Sequence, residues 1–228
     1  MHAELRAEGT RCSRKRVARL MRAAGLSARR PRRAVRTTDS RHDQPVAPNL
    51  LGRDFTAAAP DRRWAADITY VPTAEGWLYL AVILDLFSRR VVGHACGATL
   101  ATALVAEALA LACGRRRPAA GLLHHSDRGS QYASGADQAR LAELGAQCSM
   151  SRRGDCYDNA AVESFFGTLK TELTHHRRYA TRAEARSDIF EYVEVFYNQQ
   201  RRHSALGYRS PAEYEARHAA ALALPLAA

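Results

Sequence analysis

Trp64-Ala-Ala-Asp-Ile-Thr-Tyr-Val71 sets one carboxylate, Asp67, in the middle of a run that is otherwise apolar or rich in β-formers. Such a run predicts a strand, and an acid inside it is costly unless it is paired, hydrogen-bonded or bound to a metal. Outward from it, residues 72–76 read as a turn, 77–84 as a second strand and 89–97 as a third, which predicts an antiparallel meander. Residues 99–113 are Ala- and Leu-rich and helical, 121–125 form a short apolar strand, 136–144 a helix and 147–151 another strand. Alternation of strands and helices after the meander predicts the α/β class: a mixed five-stranded sheet flanked by helices.

The 228 residues carry 34 Lys+Arg against 23 Asp+Glu, a formal +11, with 46% apolar residues. That is enough chain for one full domain and a smaller module. No stretch approaches the roughly 18 uninterrupted apolar residues of a membrane span, and the N-terminus lacks a secretory core, so no membrane partner and a cytoplasmic, nucleoid-associated address are expected. Cys12, Cys96, Cys113, Cys148 and Cys156 are odd in number and contain no CxxC pair, which argues against a disulfide framework and a cysteine zinc site. His124 and His125, with His175, His176 or His203, then lack the cysteine ligands of a zinc centre, and Ser126 lacks the elbow of a serine hydrolase.

Residues 1–50 hold thirteen Arg/Lys against four Asp/Glu, a net +9, so the basicity belongs to an N-terminal segment of the kind that meets phosphate backbones. Ser13 can cap a helix whose Val17, Leu20, Met21 and Ala24 form a stripe, leaving Arg14, Lys15, Arg16, Arg19 and Arg22 on the outer face as candidate DNA contacts. Preceded by a short helix over 2–7, this predicts a helix-turn-helix module over 1–33. A basic, Pro-containing linker is expected over 34–60, partly disordered without DNA, then a core over 61–217 and a tail over 218–228.

Asp127 ends the fourth strand in His124-His-Ser-Asp-Arg-Gly-Ser130, and Glu163 lies in a helix opened by Asp158-Asn159. Taken singly, the three acids also read as a strand-edge Asp, a turn Asp and a solvated helical Glu. Converging, they would repel one another unless divalent cations neutralised them, and oxygen-only ligation suits Mg²⁺, with Mn²⁺ as substitute. Two such ions can activate a water or 3′-hydroxyl on one side of a phosphodiester and stabilise the leaving oxygen on the other.

Trp64-x-x-Asp67-Ile-Thr-Tyr70, His125-Ser-Asp127-Arg-Gly-Ser-Gln-Tyr132 and Asp158-Asn-Ala-Ala-Val-Glu163-Ser-Phe-Phe resemble the DDE core of retroviral-type integrases, with 35 residues between Asp127 and Glu163. The ending over 197–213 resembles that of insertion-sequence family three transposases, in the product of their second reading frame, as does the helix-turn-helix at the N-terminus. The resemblance implies an RNase H-like integrase core in which Asp67, Asp127 and Glu163 are catalytic and metal-binding. It further implies Mg²⁺-dependent 3′-end nicking and strand transfer on double-stranded DNA, both the element's terminal inverted repeats and the target, by a homo-oligomer. It also implies residues ahead of Met1 and partnership or fusion with the upstream reading-frame product. A second reading is a catalytically inactive DNA-binding remnant that occupies element ends and represses transposition.

Lys170, seven residues after Glu163, faces the same side of a helix and is a candidate phosphate contact. Asn159 is expected to orient Glu163 or touch DNA, or simply to cap the helix. Arg201 and Arg202 are further candidate DNA contacts, and Asp85 reads as a turn residue. Ile189, Tyr192, Val193, Phe196 and Tyr197 form a stripe expected in the core, and Ser210-Pro-Ala-Glu213 a helix start.

Overall fold

The computed structural model describes residues 1–27, 45–152 and 155–223. Its centre is a five-stranded sheet of β1 (Arg63–Thr73), β2 (Gly76–Asp85), β3 (Val91–Gly97), β4 (Leu123–Ser126) and β5 (Gln147–Met150) in the order β3-β2-β1-β4-β5. The meander β1-β2-β3 is antiparallel, whereas β4 joins β1 and β5 joins β4 in parallel. The helices are α1 (His2–Ala7), α2 (Arg14–Ala23), α3 (Thr102–Arg116), α4 (Gly135–Glu143), α5 (Ala160–Glu172), α6 (Arg182–Glu191) and α7 (Pro211–Ala223).

Strand alternation splits the core between the two faces of the sheet. Ala65 and Val71 of β1 and Leu80, Val82 and Leu84 of β2 pack with Phe165, Phe166 and Leu169 of α5 and Ile189 of α6. Trp64 and Ala66 of β1 and Ala81 and Ile83 of β2 pack with Leu104, Val105 and Leu109 of α3 and Leu141 of α4. Odd positions of β1 therefore face α5, and Asp67 is an odd position. Gly93 sets how closely α3 approaches β3, since a Cβ there would overlap the Ala108 carbonyl oxygen.

The stripe on α6 and the wider π turn Tyr192–Tyr197 is core at Ile189, Tyr192, Val193 and Tyr197, but Phe196 is exposed. On α2, Ser13 caps the helix by accepting from the Arg16 N–H, yet only Val17 of its apolar stripe is buried, and Leu20 is 54% exposed.

The expected linker differs from what is seen where it is described. Residues 34–44 lie outside the described residues, but 45–60 form a strap packed on the core rather than a loose segment. Leu51 is buried, the Ser149 hydroxyl accepts from the Leu50 and Leu51 N–H groups, and Asn49 donates to Asp158 at 2.8 Å. Prolines without apolar period looked like a linker because these partners lie about a hundred residues away in sequence. The expected tail likewise contributes to a helix, since α7 runs to Ala223; residues 224–228 lie outside the described residues.

Candidate active site

Asp67 and Asp127 line one cleft of about 410 Å³ at the C-terminal end of β4, together with Tyr70, Trp77, Gln131 and Tyr132. The parallel register that sets Ala66 beside Ser126 brings the two acids there. Each carboxylate is oriented by backbone: the Ile68 N–H donates to Asp67 Oδ1 at 2.7 Å, and the Gly129 N–H donates to Asp127 Oδ1 at 2.9 Å. Gly129 sits so close that a Cβ would be 3.0 Å from that oxygen, tight for any other residue.

Glu163 and Lys170 approach from α5, on the face of the sheet to which Asp67 points. Burial pushes the Asp67 carboxyl well above the usual carboxylate range, Asp127 and Glu163 push it further, and the Ile68 N–H and Lys170 oppose them. Packing around the Glu163 carboxyl raises its pKa although its side chain stays exposed on α5. Burial lowers the Lys170 ammonium and Asp67 acts the other way; its Nζ lies 5.3 Å from the Tyr70 ring centroid. Tyr132 beneath the acids is buried, and its hydroxyl is raised by that burial and then by Asp67 and Asp127. As the side chains lie, no three His, Cys, Asp or Glu among the described residues come close enough together to hold one ion.

Asn159 is not at a DNA surface. It is buried, and its amide donates to the Ala66 carbonyl at 2.9 Å, one residue before Asp67; it makes no side-chain cap to α5. Its strength lies in tying the start of α5 to β1, a role that depends on tertiary pairing and leaves no local signal. Asp158 beside it was missed as a key residue: fully buried, it accepts from Arg53, Arg152 and Asn49 and is held far below the usual range, first by Arg152. A run of Asp-Asn before a helix signals only a cap.

Arg201 and Arg202 are likewise not free cations. Arg201 makes a two-pronged pair with Glu172, and Arg202 pairs with Glu4 of α1 at 2.7 Å. Arg14, Lys15, Arg16, Arg19 and Arg22 are all exposed on α2. Asp85 is fully buried, receiving the N–H groups of Asp61, Phe87 and Ser88, a turn-building role. His125 hydrogen-bonds Ser149 and Ser151, and burial holds both His124 and His125 down to about 4.

Family models of an integrase core domain match residues 57–156 and 144–211, and a model of an HTH-like domain matches 1–34. The chain is 47% identical over 218 residues to the insertion element IS600 uncharacterized 31 kDa protein of Shigella sonnei, covering 96% of this chain and 80% of that one. It is 44% identical over 212 residues to the transposase InsF for insertion sequence IS3A of Escherichia coli K12, covering 93% and 74%. The chain belongs to the IS3 family of transposases. The fold is also that of the HTLV-2 integrase catalytic core domain solved in complex with magnesium, with a TM-score of 0.54 at 16% identity, covering 70% of this chain and 99% of that one. A simian T-cell lymphotropic virus intasome chain, solved with PP2A regulatory subunit B56 gamma, gives a TM-score of 0.56 at 16% identity over 78% of this chain and 60% of that one. The RNase H-like architecture expected from the motifs is therefore the one present. Among the described residues, no helix is long and apolar enough to cross a membrane.

Proposed function

We propose that the chain is a DNA transposase that nicks the 3′ ends of an insertion sequence and transfers them to target DNA. The observation that carries this reading is the electrostatic coupling of Asp67 to Asp127 and Glu163, drawn from a strand, the residue after another strand and a helix, in a family whose named relatives are transposases. The inactive-remnant reading is not favoured, because all three acids are present and two share the cleft.

The donor set fits a divalent cation. It offers hard carboxylate oxygens only; burial first, and then the charges of Asp127 and Glu163, raise the Asp67 carboxyl, and a dication offsets both. Asp67 and Asp127 would hold Mg²⁺ or Mn²⁺, with Glu163 completing the set once its side chain on α5 turns toward them. When bound, the ion supplies charge that polarises the phosphodiester and eases loss of a proton from the attacking water or 3′-hydroxyl. Lys170 holds a DNA phosphate beside the acids. Neither His124 nor His125 serves as base, since both are buried. Each step is a direct displacement at phosphorus by water or by the 3′-hydroxyl. The N-terminal module and its exposed α2 cations grip the element ends, and the active assembly is a homo-oligomer on DNA, joined or fused to the upstream reading-frame product.

Replacing Asp67, Asp127 or Glu163 with Ala or Asn is expected to abolish nicking and strand transfer while leaving duplex binding within a few-fold. Cleavage assays with Mg²⁺, Mn²⁺, Ca²⁺ and EDTA test it: Ca²⁺ should support binding without turnover. Normal cleavage by Glu163→Ala, or turnover untouched by EDTA, would sink the assignment.

A further inference from the structure

A second cavity, of about 610 Å³, opens on a different face of α5 from Glu163 and Lys170. Ala161, Ser164 and Thr168 form its α5 wall, a stripe about 140° round the helix from the 163/170 line. Arg89, Arg201, Arg202 and His203 also line it, with Phe165 and Tyr197, and among the described residues no Asp or Glu does.

The cations are not equivalent. Glu172 neutralises Arg201 and Glu4 neutralises Arg202. Arg89 is different: its guanidinium makes one hydrogen bond, to the Phe55 carbonyl at 3.1 Å, and among the described residues no carboxylate lies within ion-pair distance of it. Burial acts against its charge, and Tyr197 and Asp85 oppose that only in part, without touching it. Its backbone sits at φ 60°, in the left-handed region that disfavours a side chain, so the turn after β2 holds the group in place at a cost of about 1 kcal/mol. Across the cavity wall, His203 Nε2 is shielded from solvent and has no hydrogen-bond partner. A half-buried cation with no carboxylate in contact and an unanswered imidazole nitrogen together ask for one anion with hydrogen-bond acceptors.

We infer that this cavity is a phosphate subsite, distinct from the acid cleft, that seats a backbone phosphodiester of duplex DNA on Arg89 and His203. The inference rests on the chain binding DNA as proposed above. Burial, and then Arg201, hold His203 neutral, so it serves as a hydrogen-bond donor rather than a second charge. A duplex is favoured over a free nucleotide by position. Arg202 on the cavity wall bonds Glu4 of α1, so the cavity borders the HTH-like module, whose α2 exposes Arg14, Lys15, Arg16, Arg19 and Arg22. Both surfaces then meet one polyanion, while the acid cleft on the other side of α5 receives the scissile linkage.

The test measures affinity of the full chain for an element-end duplex against salt, in Ca²⁺, with thermal unfolding in parallel. Arg89→Ala should weaken binding about tenfold or more and lower the log–log salt slope by about 0.9, the signature of one lost phosphate contact. Arg89→Lys should recover part of the loss. Ser204→Glu, an exposed position at the cavity wall with no side-chain hydrogen bond among the described residues, should weaken binding at unchanged melting temperature, which keeps the test valid if Arg89→Ala folds poorly. In a duplex scanned with single uncharged methylphosphonate linkages, one linkage should reproduce the Arg89→Ala loss and add nothing to it. An unchanged slope in both Arg89→Ala and Ser204→Glu, with the duplex still bound by the parent, overturns the subsite. So does an Arg89-dependent thermal shift with inorganic phosphate or a mononucleotide while duplex binding ignores Arg89. No duplex binding by the parent would instead overturn the transposase reading itself.

Discussion

The Lys170 ammonium sits where Asp67 favours its charge and burial opposes it, against the Tyr70 ring. A cation so placed is set to take a phosphate, and losing one charge-assisted contact costs roughly 1.5–3 kcal/mol. Lys170→Ala is therefore expected to lower strand transfer of a pre-cut DNA end by one to two decades, with little change in thermal unfolding; Lys170→Arg should regain part. Wild-type strand transfer by the alanine variant would reduce this lysine to a packing residue. Asp137 gives a prediction of the opposite kind. It is buried in the first turn of α4, and burial pushes its carboxyl up to about 6. A carboxyl raised in the folded state contributes stability that is full below about pH 4 and is lost as pH rises through about 6. Asp137→Asn should remove that loss, gaining up to about 3 kcal/mol at pH 8 relative to pH 4 in urea unfolding. A pH profile identical to the parent's would show that the site relaxes around the charge.

At the scale of elements, the start of α5 governs where Glu163 lies, and two buried groups hold it. Asn159 ties it to β1 through Ala66, and Asp158 gathers Asn49 and Arg53 of the strap with Arg152 after β5. Removing the acid leaves the Arg53 and Arg152 guanidiniums with Asp155 as their remaining carboxylate, each still about half in water at 44% and 55% exposure. Asp158→Ala should thus cost about 2–3 kcal/mol, below the 3–5 of a fully buried pair. Because this carboxyl is depressed in the fold, its stabilisation is present above about pH 4 and fades below it, so the gap between variant and parent should narrow in acid. The same variant should lose cleavage in proportion to the displacement of α5, read as a drop in kcat at saturating DNA.

For the whole molecule, charge and packing divide the N-terminal sixty residues differently. Thirteen Arg/Lys against four acids lie within residues 1–44, so a shortened chain beginning at Pro45 should bind DNA more weakly, its salt slope falling by about 0.9 per lost phosphate contact. Its melting temperature should stay near the parent's. A chain beginning at Asp61 loses Leu51, 2% exposed, and the bonds from Asn49 and Arg53 as well. At about 1.5–3 kcal/mol for the leucine alone and 2–4 °C per kcal/mol, it should melt several degrees lower. Equal melting of the two shortened chains would deny the strap its part in the core; an unchanged salt slope in the first would move the DNA contacts onto the core.

Strands and helices were legible wherever one face of the element is dry, because burial on one side imposes period 2 or 3.6 on neighbouring residues. Hence the meander, the helix flanks and the isolated acid at Asp67 stand out in the bare chain, as do the three motifs of the DDE resemblance. The parallel insertion of β1 beside β4, which sets Asp67 and Asp127 in one cleft, leaves no such mark. Neither does Asn49 reaching Asp158 across 109 positions, nor Glu4 reaching Arg202 across 198. Those contacts depend on which surfaces the folded sheet brings together, and a hydrogen-bonding side chain has the same local sequence whether its partner is water, DNA or a distant carbonyl. So Asn159, Arg201 and Arg202, candidate DNA contacts in the bare sequence, each have a protein partner in the fold, while Arg89, ordinary in its turn, has the Phe55 carbonyl but, among the described residues, no carboxylate at ion-pair distance.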